Sequence, residues 1–187
     1  MANKDRICIE TFHRNELSIG EANRQALKND AYHWAVLVRP KDIDSLATCT
    51  SFDVTNGSRQ IPASSGRNEE TNPDGDWWFR RRHPVNPLAT GQFLTAVVIG
   101  KLPENVLIKD VESVLESVPL PRKNYTPKES CSTWTVLAII ALQQAGYADQ
   151  LDVDGIMRAA VLESNEVMKH GPPKSKKKRF IDSMGRA

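Results

Sequence analysis

The stretch from Cys131 to Ala145 constrains the fold more than any other part of the chain, because it predicts a long helix that is apolar on almost every side. It holds the longest apolar run of the sequence, and Gly146 follows it, as glycine commonly follows a helix. A helix of this kind has to be buried in a core. With 187 residues, the chain is long enough to build such a core within one domain of ordinary size.

The rest of the pattern divides the chain into a strand-rich first part and a helix-rich second part. Apolar and β-branched segments predict strands at residues 32–38, 49–55, 76–82 and 92–99, with a short strand or arm at 6–12. Helical spacing predicts helices at residues 110–118, 131–145 and 153–168, with a turn or two of helix within 19–29. Strands followed by helices indicate an α+β fold with an antiparallel sheet.

Two long connectors and the C-terminal segment have no periodic pattern. Residues 58–75 are rich in Pro, Ser, Asn and Gly and predict a long surface loop, while residues 119–128 form a proline-rich, basic connector. Residues 171–187 contain a run of lysines and predict a basic disordered tail, which leaves residues 1–170 as a single globular domain.

Composition and charge exclude several classes of function. The net charge of +2 gives no strong field toward nucleic acid, and the longest apolar run, Val136 to Leu142, is too short to span a membrane. Three cysteines at wide spacings argue against a disulfide framework and a zinc site, so we expect no metal and no cofactor. We predict an intracellular, cytoplasmic protein, in which the basic run Lys174 to Arg179 could serve as a nuclear-import signal.

Cys131 is the candidate nucleophile, because it stands at the predicted start of the apolar helix. Unpaired backbone N–H groups and the helix dipole favour a thiolate at that position, and the thiolate is the reactive form of cysteine. The opposing interpretation is that Cys131 is a small buried hydrophobic residue.

His33 and Asp53 are the candidate partners of this thiol. His33 interrupts an otherwise apolar predicted strand, where an imidazole costs desolvation unless a partner compensates it. Asp53 points to the opposite face from its neighbours in the next strand and could accept a hydrogen bond from the His33 ring; Asn56 and Gln92 are weaker substitutes. His33 could instead be a structural histidine, and Asp53 could prepare the turn at Asn56.

The arginines at positions 80–82, next to Trp77 and Trp78, suggest two further interpretations. They could form an aromatic and basic surface that contacts nucleic acid. The pattern is more typical of a sheet edge with one packed tryptophan and solvated arginines, and we favour this second interpretation.

The order of these features resembles the circularly permuted papain-like group over roughly residues 30–150. A histidine strand comes first, a strand ending in Gly100 and a basic connector follow, and Cys131-x-x-Trp134 then opens a hydrophobic helix. This group includes the PPPDE peptidases, the lecithin:retinol acyltransferase-like proteins and relatives of the NlpC/P60 family, with uncharacterised fungal proteins as the nearest members.

The resemblance implies a role for each matching position. His33 would be the catalytic histidine, Cys131 the nucleophile and Trp134 the aromatic that packs the helix onto the sheet. Asp53 lies in the strand where acyltransferase-like members place a second polar residue, usually histidine. Ser130 stands where many members have asparagine.

These observations predict a papain-like thiol hydrolase or acyltransferase that acts on an amide, isopeptide or ester through a Cys131 acyl-enzyme, with His33 as base. Its partner would be a peptide, a protein or a small acyl substrate, and the sequence leaves the oligomeric state open. The alternative is a catalytically inactive binding module on the same fold.

Overall fold

The computed structural model describes residues 5–42, 48–62, 68–169, 171 and 180–182. Eight strands and four helices are present in this part of the chain. The strands are β1 (Arg6–His13), β2 (Tyr32–Arg39), β3 (Cys49–Thr55), β4 (Gln60–Pro62), β5 (Asn68–Glu70), β6 (Trp78–Val85), β7 (Phe93–Lys101) and β8 (Phe180–Asp182). The helices are α1 (Glu21–Leu27), α2 (Ile108–Glu116), α3 (Cys131–Gln144) and α4 (Val153–Met168).

Six of the strands form one sheet in the order β6-β3-β2-β1-β7-β8. All neighbours are antiparallel except β7 and β8, which run parallel. The expectation of an α+β fold with an antiparallel sheet is therefore confirmed in its coarse form. In this strand order, β2 begins, β3 ends and β6 begins at the same end of the sheet, which is the end that holds the candidate site.

The three longer helices cover one face of the sheet. Helix α3 packs against β2 and β3, α4 packs against β1 and β7, and α2 packs against α3 and β3. Alternate residues of the strands supply this face, among them Tyr32, Trp34 and Val36 of β2, which are fully buried. Because side chains alternate across a strand, His33 points to the other face together with Ala35 and Leu37.

The opposite face holds a smaller apolar cluster and a polar group of side chains. Cys8, Phe12, Leu37 and Phe93 belong to the apolar cluster, and Phe180 of β8 packs on its outer side. The polar group lies beside it, toward the end of the sheet where β2 begins.

Helix α3 departs from the expectation of burial on every side. Trp134, Ile139 and Leu142 are buried, whereas Leu137 is 45% exposed. The exposed side of α3 and the connector from Pro119 to Lys128 line an apolar groove, because this connector lies beside the helix. The apolar pattern correctly predicted the helix and its position in the core but overstated how completely it is covered.

Two other segments differ from the sequence-based expectations. The predicted loop at residues 58–75 contains the hairpin of β4 and β5. Within the predicted tail, Phe180–Asp182 form an edge strand of the main sheet, while the basic run Lys174 to Arg179 lies outside the described residues.

None of the described helices combines the length and apolarity needed to cross a membrane.

Candidate active site

Cys131 is the first residue of α3, and the residue before it caps the helix. The Ser130 hydroxyl accepts a hydrogen bond from the Ser132 backbone N–H at 3.2 Å, and the Ser130 N–H donates to the Thr133 hydroxyl at 2.8 Å. This reciprocal pair satisfies N–H groups that a helix start otherwise leaves without acceptors. As the first helical residue, Cys131 keeps a backbone N–H that has no acceptor within α3.

Asp30 ties this helix start to the entry of β2. Its carboxylate oxygen Oδ1 accepts hydrogen bonds from the Ser130 hydroxyl at 2.7 Å and from the Ser132 hydroxyl at 3.0 Å. Lys128 lies 3.7 Å from the other oxygen. Since Asp30 stands three residues before His33 in the chain, these contacts set the position of Cys131 relative to His33.

His33 lies at the start of β2, beside the N-terminus of α3. The Cys131 sulfur is 3.9 Å from the backbone oxygen of Tyr32, the residue next to His33. On its other side, the His33 ring atom Nε2 is 2.8 Å from Oδ2 of Asp53, and the histidine side chain is 22% exposed. The histidine therefore hydrogen-bonds the buried aspartate and also interacts with the Cys131 side chain.

Asp53 is fully buried and has two further cationic partners on β6. Arg80 donates two hydrogen bonds to its carboxylate, from Nε at 2.9 Å and from Nη2 at 2.7 Å. Arg82 adds a longer contact of 3.4 Å from its Nη2. Asp53 and Arg80 face each other in the register of β3 and β6, which explains the two-pronged geometry.

The charges in this cluster stabilise one another. Burial would raise the pKa of Asp53, but hydrogen bonds from His33 and Arg80 hold it far below its ordinary value. Burial would lower the pKa of His33, but its hydrogen bond to Asp53 and its interaction with the Cys131 side chain raise it to about 9. The cluster therefore contains an ionised Asp53 and an imidazolium at neutral pH.

A second buried carboxyl lies behind Arg82. Glu10 of β1 is 1% exposed and accepts a hydrogen bond from the Ser51 hydroxyl at 2.6 Å, while Arg82 donates to the same hydroxyl at 3.1 Å. Burial raises the pKa of Glu10 to about 7, against opposing contributions from Ser51 and Arg82. Polar contacts thus run from Glu10 through Ser51 and Arg82 to Asp53.

These side chains border an open cleft of about 430 Å³. Cys131, His33, Arg80 and Arg82 line it on one side. The rest of the lining comes from the ends of neighbouring strands and the loops that follow them: Phe12, His13, Arg14, Asn15, Leu17, Thr55, Asn56, Gly57, Trp77, Thr90 and Gln92. The cleft is large enough for a small-molecule or peptide group at the thiol.

The structure brings together the three residues that the sequence singled out. Cys131, His33 and Asp53 lie in one cluster, while Asn56 and Gln92 line the cleft without replacing Asp53 as the partner of the His33 ring. The other two cysteines are elsewhere on the sheet, free and fully buried, and burial raises the pKa of each to about 12.

Four residues of the cluster were not assigned to it from the sequence: Asp30, Arg80, Arg82 and Glu10. The expectation that the arginines are solvated at a sheet edge is incomplete, because Arg80 and Arg82 bind the buried Asp53 and only Arg81 points to the helical side, near Glu112 at 3.6 Å. The alternation of side chains in β6 indicates that Arg80 and Arg82 share one face of the sheet. It identifies Asp53 as their partner only once β6 is known to pair with β3.

Among the described residues, no group of three acidic, histidine or cysteine side chains is arranged to hold a metal ion.

Fold and cluster together define an α+β protein with a cysteine, a histidine and an aspartate grouped at one end of a six-stranded sheet. Residues 4–184 match a family described as "Family of unknown function (DUF6914)", and the chain belongs to this family. Comparison with curated proteins found no match. Comparison with solved structures found none either.

Proposed function

We propose that this protein is a thiol hydrolase or acyltransferase in which Cys131 attacks an amide, isopeptide or ester carbonyl. The observation that carries the proposal is the position of His33 between Asp53 and Cys131, at the wall of an open cleft. A nucleophile, a base and a group that orients the base are the parts that nucleophilic thiol catalysis needs.

The resting state of such a site is an ion pair of thiolate and imidazolium. His33 takes the Cys131 proton, and its raised pKa of about 9 keeps the ring protonated at neutral pH. Since Nε2 of His33 faces Asp53, Nδ1 is the ring nitrogen that remains for the thiol. Asp53 orients the ring and stays ionised, because Arg80 and Arg82 hold its carboxylate.

Attack of the thiolate on the carbonyl carbon forms the C–S bond and moves charge to the carbonyl oxygen. The backbone N–H of Cys131 is a suitable donor to this oxygen, because it has no acceptor within the helix. Gln92 lines the same cleft and supplies an amide donor as its partner. The imidazolium of His33 then gives its proton to the departing amine or alcohol, and the acyl group stays on sulfur.

The second half of the reaction needs His33 as a base. Once Cys131 is acylated, the sulfur carries no charge, so its contribution to the raised pKa of His33 is lost. The pKa of the ring then falls, and neutral His33 can take a proton from water or from another acceptor. The same residue thus serves as acid in the first half and as base in the second.

The arrangement of elements supports a permuted papain-like fold for this chain. The histidine strand comes before the cysteine helix in sequence, and the N-terminus of that helix packs at the start of the histidine strand. Trp134 is buried against Phe79 of the sheet, with ring centroids 6.1 Å apart, as the resemblance implies.

Two observations favour the alternative of a binding module on the same fold. Cys131 is only 2% exposed. The Asp30 carboxylate also lies at the start of α3, and its negative charge opposes the thiolate that this helix end would otherwise stabilise. In that case the cleft would bind a partner without reacting with it.

The rate of Cys131 alkylation between pH 5 and 9, followed by mass spectrometry, separates the two functions. We expect Cys131 to react at pH 7 roughly tenfold or more faster than a free thiol of pKa about 8.5, and His33→Ala to abolish this advantage. Cys8 and Cys49 are internal controls, since both are buried and stay protonated in this range.

His13→Ala is the matched control, because His13 lines the same cleft but has no described contact with Asp53. Its Cys131 should keep the wild-type rate. A wild-type Cys131 no faster than a free thiol, or equal rates in His33→Ala and wild type, would remove the basis of the catalytic proposal and favour the binding module.

A further inference from the structure

We infer that the substrate of this site carries a carboxylate close to the reacting carbonyl, and that Arg14, Arg80 and Arg82 select it. This inference rests on the proposed function, since it names the class of molecule that Cys131 would attack. The charges along the cleft carry this inference, and they are present whether or not Cys131 reacts.

The lining of the cleft is cationic. Three arginines and two histidines contribute to it, and no aspartate or glutamate does among the residues that the structure describes there. Arg80 and Arg82 reach it from β6, and Arg14 follows β1 on the other side. A substrate in this cleft therefore meets guanidinium groups on two sides.

The buried acids around the cleft offset only part of this charge. Asp53 and a thiolate at Cys131 offset two of the four positive charges of His33, Arg80, Arg82 and Arg14. Glu10 lies behind Arg82, and its pKa of about 7 leaves it largely protonated in mildly acidic solution. Asp30, whose backbone oxygen accepts from Arg14, has its carboxylate near Lys128.

Arg14 and Arg82 also have N–H donors for which the described residues show no acceptor. A guanidinium has five N–H donors in a planar fork that matches the two oxygens of a carboxylate. Arg14 is described with one hydrogen bond, from Nη1 to the backbone oxygen of Asp30 at 3.1 Å. The buried Nε of Arg82 has no acceptor in the described part of the chain, and an unused buried donor is costly.

A pair of alkylating reagents that differ in charge tests this selection directly. Iodoacetate and iodoacetamide react in the same way, since the sulfur displaces iodide and forms a C–S bond, but only iodoacetate carries a carboxylate. We measure the ratio of the two rates at Cys131 at pH 6.5 and divide it by the same ratio for glutathione. We expect this relative preference for iodoacetate to be roughly threefold or more, and to fall in 0.5 M NaCl because salt screens the charges.

Arg14→Gln and Arg81→Gln form the matched pair of variants. Both remove one positive charge, but Arg81 points to the helical side near Glu112 and does not line the cleft. We expect Arg14→Gln to lower the preference about twofold or more, Arg81→Gln to leave it unchanged, and Arg14→Lys to retain most of it. Thermal unfolding of each variant verifies that it is folded.

The outcomes separate this inference from the proposed function. The selection of a carboxylate is overturned if Cys131 is reactive but shows no preference for iodoacetate. It is also overturned if neither Arg14→Gln nor Arg81→Gln changes that preference. Both outcomes leave the thiol chemistry intact. A Cys131 that reacts with neither reagent faster than glutathione overturns both.

Discussion

At the scale of single residues, Asp53 connects the charged side chains of the candidate site. It is fully buried, and its carboxylate contacts His33, Arg80 and Arg82. Burying several charges together is seldom the most stable solution, because desolvation offsets much of their attraction and apolar residues of similar size often do as well. The stability of the sheet is therefore a weak explanation for the cluster, in keeping with the catalytic role that we propose.

Glu10 is the second buried acid of this network, and one of its oxygens, Oε2, has no hydrogen-bond partner among the described residues. Its charge is influenced by Ser51, Arg82, Asp53 and His33, which lie on β2, β3 and β6. Because its pKa is about 7 in the folded protein and near 4.5 in an unfolded chain, the folded state binds its proton more tightly.

The raised pKa of Glu10 predicts that the free energy of unfolding depends on pH. Between pH 4.5 and 7, the folded state holds a proton that the unfolded state has released, so stability falls as pH rises, by at most about 1.4 kcal/mol per pH unit. We expect Glu10→Gln to flatten the fall in unfolding free energy over this range, measured by urea denaturation. Glu69→Gln, at an exposed position, is the control and should reproduce the wild-type slope; an unchanged slope in Glu10→Gln would contradict the assignment.

His33 also lowers the stability of the fold as pH rises, but at higher pH than Glu10 does. Its pKa is raised to about 9 in the folded state, so its stabilising contribution is complete below pH 6.5 and is lost as the pH rises through 9. Asp53 acts at the other end of the scale. Its lowered pKa stabilises the fold above pH 3.8, and this contribution is lost in stronger acid.

At the scale of elements, the N-terminus of α3 is the part that positions Cys131 beside the histidine strand. Ser130 caps the helix and also donates to Asp30, which stands just before β2. The helix start and the histidine strand are therefore joined by side chains, in addition to the apolar packing of α3 on the sheet.

This double role of Ser130 predicts two separable effects of its removal. Ser130→Ala should cost about 1 kcal/mol of stability through the lost cap, and should also slow alkylation of Cys131 several-fold because the contact with Asp30 is lost. Asp152→Ala is the matched control, since Asp152 caps α4 by accepting from the Gly155 N–H at 2.9 Å, away from the cleft.

Chemical denaturation and mass spectrometry measure the two effects separately. Asp152→Ala should lose similar stability while Cys131 keeps its wild-type rate. If both variants slowed alkylation equally, the effect would come from general loosening, and the alignment through Asp30 would be wrong.

At the scale of the whole molecule, the helices and the sheet are joined where the loop after α3 crosses β7. The Asp149 backbone N–H donates to the Ile99 oxygen at 2.9 Å, and the Gln143 side chain donates to the Asp149 oxygen at 2.9 Å. This close approach of two backbones leaves no space for a side chain at Gly100. A Cβ there would lie 2.9 Å from the Ala148 Cα and 3.1 Å from the Tyr147 oxygen.

Gly100→Ala is therefore expected to destabilise the protein by roughly 1–3 kcal/mol, because backbone atoms cannot move aside as the end of a side chain can. Gly91→Ala is the control, since a Cβ at Gly91 meets nothing within 4 Å. Thermal unfolding of both variants gives the comparison. Equal midpoints would mean that the loop does not pack on β7 as described.

The sequence alone determined the local elements and the identity of the three candidate site residues. Apolar periodicity located the main strands and helices within a few residues, since it records which side of each element faces a core. A histidine at 33 and an aspartate at 53 were conspicuous for the same reason, because each breaks an apolar pattern that burial otherwise favours.

Only the tertiary structure decided which elements are neighbours, and with that the composition of the site. Placing β6 next to β3 gave Asp53 its two arginines, and the turn before β2 brought Asp30 to the start of α3. The same strand order put Glu10 and Ser51 together across β2. Strand pairing depends on contacts between residues far apart in the chain, and a local pattern of polar and apolar residues carries no record of them.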